Sequence, residues 1–317
     1  MNRFFFLAVL TSSAVLAQAP EVPVILTIDV ENYVQYRGDV LDTTRVAKDP
    51  NPTTGVVSAF LPNVMVGDIV AVNGKPAKGL WQNTLTIMPF RANPSPGQAI
   101  ADLDSTGIGQ CVWEILGPDG SYIGALVDGG AGAGGHALKG GLGAFAGVTG
   151  VKTSEVLVPS RSASFAEDPS QRRINGGGKM RVTFYINPAF RPGVQVTASG
   201  PAVFHSDFSQ VTAANPARPG EILILGATGL GPVKPDLVPA GAVEFSSSPL
   251  QEVNAPVTVS FNGKELPVTN KIGWPGQKTL YRVDFQAPSD AIFGTATLQL
   301  IAAWIPGPVV TIPVSAR

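Results

Sequence analysis

Reactive side chains are scarce in this chain, and the scarcity limits its chemistry. Two histidines, His136 and His205, and a single cysteine, Cys111, are all that its 317 residues supply of those types. A structural zinc site draws on a full tetrahedral set of Cys and His ligands, so no metal site is expected. A lone cysteine makes no intramolecular disulfide, and stability must come from buried cores. His205-Ser206-Asp207 holds the residue types of a hydrolytic triad, but successive side chains on a strand point to opposite faces and cannot form one among themselves. The glycine-rich stretch from Gly129 to Gly150 has the wrong spacing for a phosphate cradle. Gly141, Gly143 and Gly147 read G-x-G-x-x-x-G, no helix follows, and no G-K-[ST] is present. It reads as a flexible loop entering a strand, and neither a hydrolase nor a nucleotide-dependent enzyme is expected.

The carboxylates offer more. Asp29 and Glu31 alternate onto one face of the first strand pattern, with Tyr33 next along it. Glu114 is the one charge in the apolar run from Cys111 to Leu116, and it shares a face with Gln110, opposite Cys111, Trp113 and Ile115. Near the end of the first half, Arg181, Thr183 and Tyr185 oppose Val182, Phe184 and Ile186. Were the polar face to line a barrel, loss of solvation would raise a carboxyl pKa and suit it to general base or anchor work. Glu31 and Glu114 are the catalytic candidates on that reading, and Asp29, Tyr33, Gln110, Arg181 and Tyr185 the ligand-binding candidates.

The elements that must position these residues are strands. With 36 Gly and 28 Pro, about a fifth of the chain breaks helices, which excludes a helical bundle or a βαβ enzyme. A hydrophobic fraction of 44% is too high for a disordered chain. Alternating or apolar runs predict strands at Val24–Tyr36, Ile69–Val72, Leu80–Phe90, Ile108–Leu116, Tyr122–Val127, Phe145–Val158 and Met180–Ile186. Asn73-Gly74 marks a hairpin whose central residues need positive φ. Residues 189–200, broken by Pro192 and Gly193, read as a linker between a domain over 20–188 and a second over 201–317. The latter has short strands at Ile222–Leu225, Val257–Phe261, Tyr281–Phe285, Ala296–Ile301 and Val309–Val314, and a second hairpin at Asn262-Gly263.

Charge and targeting signals narrow the partners. Charged residues are 14% of the chain, with 22 Lys and Arg against 23 Asp and Glu and no basic stripe, which excludes nucleic acid as a partner. Met1-Asn2-Arg3 followed by the apolar run Phe4–Leu16 and small residues has the form of a secretory signal peptide, with cleavage expected after Ala17. That run is too short to cross a bilayer as a helix, and no later stretch is long enough. An exported chain with no transmembrane segment is therefore expected.

Residues 136–150 (His-Ala-Leu-Lys-Gly-Gly-Leu-Gly-Ala-Phe-Ala-Gly-Val-Thr-Gly) resemble the G-G-T-G-x-F-x-G-A-x-G motif of the dirigent and allene oxide cyclase barrels, with Leu142 in place of the usual Thr and Val148-Thr149 in place of Ala-x. The first domain, through residues 72–79, 96–102 and 166–178, is similar to secreted bacterial proteins with such a barrel. The second, through residues 215–222, 227–232, 256–259 and 281–288, resembles the Ig-like C-terminal module of exported bacterial proteins. The resemblance implies an all-β chain, with an eight-stranded antiparallel barrel followed by an Ig-like β-sandwich, and a trimer by analogy with the plant relatives. It implies a lumen that binds a lipophilic intermediate and steers it by shape, without a cofactor. The expected function is binding of a small apolar or phenolic molecule in the barrel, with the Ig-like domain presenting or tethering it. Two other readings remain open: a cyclase- or dirigent-type enzyme, and an adhesive or structural surface module.

Overall fold

A computed structural model describes residues 22–37, 63–89, 105–131, 136–164, 166–235 and 243–315. The predicted signal peptide, residues 1–17, and the motif at 96–102 lie outside the described residues. Among the described residues the first half contains nine strands: β1 (Val24–Arg37), β2 (Asn63–Val72), β3 (Lys75–Pro89), β4 (Ser105–Leu116), β5 (Tyr122–Ala131), β6 (His136–Gly143), β7 (Thr149–Val158), β8 (Arg161–Ser164) and β9 (Gly178–Asn187). Eight of them run in the order β2-β3-β4-β5-β6-β7-β9-β1, and β1 pairs back onto β2, which closes an antiparallel barrel. Strand β8 lies outside the ring, parallel to the end of β1.

The period-two pattern sets which side chains face inward. On β4, Cys111, Trp113 and Ile115 are buried while Gln110 and Glu114 are exposed. On β9, Met180, Val182, Phe184 and Ile186 are buried while Arg181 and Tyr185 are exposed. The β2–β3 hairpin turns on Asn73 and Gly74 with φ of 48° and 73°. Its Asn73 Oδ1 accepts the Thr27 N–H at 2.7 Å, fastening the turn to β1. Asn262-Gly263 repeats this in the second half, with φ of 50° and 82° and Asn262 Oδ1 accepting from Thr297 N at 2.8 Å.

Two sequence expectations are corrected. Most of the glycine-rich segment is strand: β5 runs on through Gly129 and Gly130, and residues 136–143 form β6. Glycine is a weak strand former, but here it permits close approach. A Cβ on Gly141 would lie 2.3 Å from the Phe145 carbonyl oxygen, and one on Gly124 would lie 2.5 Å from that of Leu142. The turn carrying buried Phe145 therefore packs directly on the sheet, and the run expected as one strand over 145–158 becomes a turn followed by β7. The second correction concerns β1. Asn32 has a φ of 53°, and the pairing with β9 slips between Val30 and Tyr33. This β-bulge reverses the faces, so Tyr33 points inward, away from the side that carries Asp29 and Glu31.

A train of aromatic rings crosses the barrel. Tyr33 meets Trp81 edge-on at 5.1 Å, Trp81 lies 5.4 Å from Trp113, and Trp113 meets Phe184 at 5.2 Å. Such rings bury roughly 150–250 Å² each, and Leu26, Ile28, Ile115 and Leu126 complete the packing. Outside the barrel, the short helix α1 (Arg172–Asn175) is held to β2 through Asp68.

After Asn187 the chain builds a β-sandwich. Strand Ile222–Thr228 pairs with Tyr281–Gln286 in one sheet, while Val257–Phe261, Gly294–Ala302 and Ile305–Val314 form the other. Strand Lys264–Gly273 joins them, pairing with Val257–Phe261 over its first half and with Tyr281–Gln286 over its second, across a register shift between Val268 and Asn270. The stretch 189–200 already contributes to this region, since Gly193–Val194 pairs with Thr228 and Ala227. The sandwich rests on the hairpin end of the barrel: Asn254 Nδ2 donates to the Tyr122 carbonyl at 2.8 Å, and Lys234 pairs with Asp119 at 2.8 Å.

Candidate functional site

The opposite end of the barrel carries a layer of inward polar groups above the aromatic train. Asp128 on β5 is fully buried and faces Cys111 across the β4–β5 ladder. Trp113 Nε1 donates to its Oδ2 at 2.5 Å, His136 Nδ1 lies 2.7 Å from its Oδ1, and Lys152 Nζ lies 3.2 Å from the same Oδ1. A buried carboxylate is tolerated when it is paired and hydrogen-bonded, and these three contacts meet that need. Each comes from the barrel's own strands: Trp113 from β4, His136 from the start of β6, Lys152 from β7. Lys152 also sits 4.7 Å above the Trp113 ring and 3.6 Å from Cys111 Sγ. Its charge thus meets a carboxylate, a π-face and a sulfur.

Burial pushes the Cys111 thiol up to about 11, against the opposing pull of Lys152. The sulfur is therefore a neutral thiol at physiological pH and no nucleophile. Cys111, Asp128 and His136 bring three metal-ligand types within 4.8 Å of one another. The ammonium of Lys152 already supplies a cation beside the shared carboxylate, and the geometry is that of an internal ion pair.

Three further features belong to this layer. Asn83, 7% exposed, directs Nδ2 toward Met65 Sδ at 3.7 Å, while its Oδ1 has no partner among the described residues. Tyr33 donates its hydroxyl to Met65 Sδ at 3.3 Å, and burial raises its pKa. Beside Lys152 the seam between β6 and β7 is short among the described residues. Strand β6 meets β7 over three residue pairs, 136–138 with 150–152. Beyond them Ser154 and Val156 pair with the buried, inward Val182 and Met180, yet both are exposed, Val156 at 59%.

The candidates read from the sequence fall on two sides of the wall. Tyr33 lies inside. Glu114 and Gln110 are on the exposed outer face of β4. Asp29 is bound by Arg181, Nε to Oδ1 at 2.7 Å, and Glu31 by Lys179 at 2.6 Å, both in exposed outer pairs. Tyr185 is exposed on the outer face of β9. Sequence reasoning missed Asn83, Asp128, His136 and Lys152 as an inner group. The one available signal was Asp128, an inward carboxylate two positions after Leu126 on an apolar strand.

A cleft of about 870 Å³ between barrel and sandwich is lined by Leu142, Ala144, Phe190, Thr228, Gly231 and Tyr281 among others. Two of its polar side chains bond to backbone: Tyr281 donates to the Gly231 carbonyl at 2.8 Å and Arg191 Nη1 to that of Pro306 at 3.1 Å.

Closed antiparallel barrel and sandwich together make this an all-β protein of two sheet systems, with no described helix long and apolar enough to cross a membrane. No protein-family model matches the chain, and no curated protein matches it. Among solved structures, the chain is 9% identical to the N-terminal domain of the Streptococcus gordonii adhesin Sgo0707, over 94% of this chain and 93% of that one, with a TM-score of 0.19. A score so low carries no argument about fold or role.

Proposed function

We propose that the barrel is a binding cup for a small phenolic molecule, and that the sandwich presents or tethers it outside the cell. The observation that carries this reading is an inner polar layer over an aromatic floor, with His136 Nε2 and Asn83 Oδ1 unpartnered among the described residues. A phenol combines an apolar ring with one hydroxyl. The ring suits Tyr33, Met65 and inward Val156, and the hydroxyl suits His136, whose Nε2 has no partner among the described residues. Small-molecule sites have this composition: mostly apolar walls with a few placed polar groups. The likeness of residues 136–150 to dirigent and allene oxide cyclase barrels, whose lumens take lipophilic intermediates, supports it. The Ig-like pattern of the second half and the apolar N-terminal run support the tethering and export roles; exported protein is expected to begin at Gln18.

Equilibrium dialysis against 4-nitrophenol tests the cup. One molecule bound per chain is expected, retained in Glu114→Gln on the outer face and lost in Lys152→Met on the inner one. Loss in Glu114→Gln with retention in Lys152→Met would move the site outside the barrel, and no binding at all would remove it.

A further inference from the structure

The inner layer holds two hydrogen-bond acceptors side by side that have no partner among the described residues, with a cation in the same layer, and this combination specifies more than a phenol. The Nδ1 of His136 faces a carboxylate oxygen, which only accepts, so in the neutral ring the proton lies on Nδ1 and the lone pair on Nε2. Asp128 is fixed from its other side by Trp113, so it orients the imidazole. The imidazole side chain is 13% exposed, and its Nε2 is without a partner among the described residues. Asn83 Oδ1 is likewise unpartnered and its residue more than nine-tenths buried. Leaving such an oxygen without a donor costs about 1–3 kcal/mol, which a ligand hydroxyl would recover.

The two acceptors are neighbours because position 109 is glycine. A Cβ there would lie 3.0 Å from Asn83 Oδ1 and 3.3 Å from His136 Cε1, so both groups lean over the same point of β4. Lys152 Nζ and His136 Nδ1 contact the same oxygen of Asp128. The ammonium therefore flanks any charge that forms at the imidazole. Among the described residues, the remaining titratable groups facing the layer are Tyr33 and Cys111, and burial keeps both protonated at neutral pH.

We infer that the cup selects a 1,2-dihydroxyaryl molecule and holds it as the monoanion: one hydroxyl gives its proton to His136 Nε2, the second donates to Asn83 Oδ1, and Lys152 faces the phenolate. This rests on the phenolic reading above and names the ligand class within it. In the transfer, one ligand O–H bond breaks with its electron pair left on oxygen, and an N–H bond forms at Nε2. Nothing is oxidised or reduced. The resulting imidazolium is stabilised by Asp128, as in other carboxylate-oriented histidines, and the phenolate by Lys152, so the bound pair adds no net charge to a low-dielectric interior. His136 acts on the ligand directly; Asp128 is a positioning residue.

The test uses two chromophoric probes, 4-nitrocatechol and 4-nitrophenol, titrated into the full chain with EDTA present, each at a pH below its own first ionisation. Bound 4-nitrocatechol is expected to show the spectrum of its anion and to bind about tenfold tighter than 4-nitrophenol, the value of one added hydrogen bond to a buried acceptor. His136→Gln, or His136→Phe should the first variant not fold, is expected to bind the probe with a neutral spectrum. Asn83→Leu is expected to keep the anion spectrum and lose the tenfold preference. A neutral spectrum in the native protein, an anion spectrum that survives loss of His136, or equal affinity for the two probes overturns this inference while leaving phenol binding intact. Failure of the native protein to bind either probe overturns the phenolic reading and this inference with it.

Discussion

The barrel and the sandwich each contain one histidine paired with one carboxylate, and the two pairs are built to different ends. His205 in the sandwich uses both ring nitrogens: Nδ1 lies 3.0 Å from Glu221 Oε2 and Nε2 lies 3.3 Å from the Asn215 carbonyl oxygen. Glu221 in turn accepts from Arg218 N at 2.5 Å. That histidine is a clamp across a turn, with nothing left to offer a ligand. His136 uses one nitrogen, against a fully buried carboxylate that is also held by Trp113 and Lys152, and its other nitrogen has no partner among the described residues. Residue type is the same in both places. What separates the two pairs is how many of the donors and acceptors the described fold has already satisfied.

Substitution at the two carboxylates disturbs this contrast most severely. Asp128→Ala strands the ammonium of Lys152, whose side chain is 9% exposed, without a counter-ion. Removing one partner of a buried pair costs about 3–5 kcal/mol, and urea denaturation should show a loss of that order. Glu221→Ala, at a side chain 20% exposed, should cost distinctly less by the same measurement.

Acid provides the next largest effect, and it falls on the barrel's outer wall. Burial alone would raise the Asp68 carboxyl, but hydrogen bonds from Arg173, Asn32 and Arg172 outweigh it and hold the pKa down at about 2. A folded-state pKa below the unfolded one means the unfolded chain binds the proton first. The stabilisation is therefore present above the ordinary value of 3.8 and is lost as pH falls through about 2. The lowering corresponds to roughly 2 kcal/mol. Stability measured across that window should fall for the native chain and fall less for Asp68→Asn, which starts lower.

His205→Gln should lower stability by about 1 kcal/mol through its lost hydrogen bonds and leave phenol binding untouched, the reverse of the binding loss expected for Lys152→Met. The smallest effect belongs to the outer face. Arg181→Ala removes an exposed pair with Asp29, and such pairs contribute little. Neither the urea midpoint nor phenol binding should move.

Much of the fold was legible because periodicity is local. The alternation of Cys111, Trp113 and Ile115 against Gln110 and Glu114 separates the faces of β4 from the residues alone, and the two Asn-Gly turns announce their hairpins. The bulge at Asn32 was not legible, and it sends Tyr33 to the face opposite Asp29. The strand over 136–143 was hidden because its glycines look like loop residues, and the close approach of Phe145 that requires them exists only once the sheet has closed. The inner layer was hidden for the same reason. Asp128, His136 and Lys152 are assembled by register, through the pairing of Cys111 with Asp128 and of His136 with Lys152 across neighbouring strands. No spacing along the chain encodes that.

With only two histidines to observe, imidazole resonances recorded by NMR during a titration with 4-nitrophenol separate the cup from the clamp in a single experiment. The His136 ring signals should move saturably with added phenol while those of His205 stay fixed. Movement of both rings together, or of neither while phenol is bound, would contradict a binding site at the inner layer of the barrel.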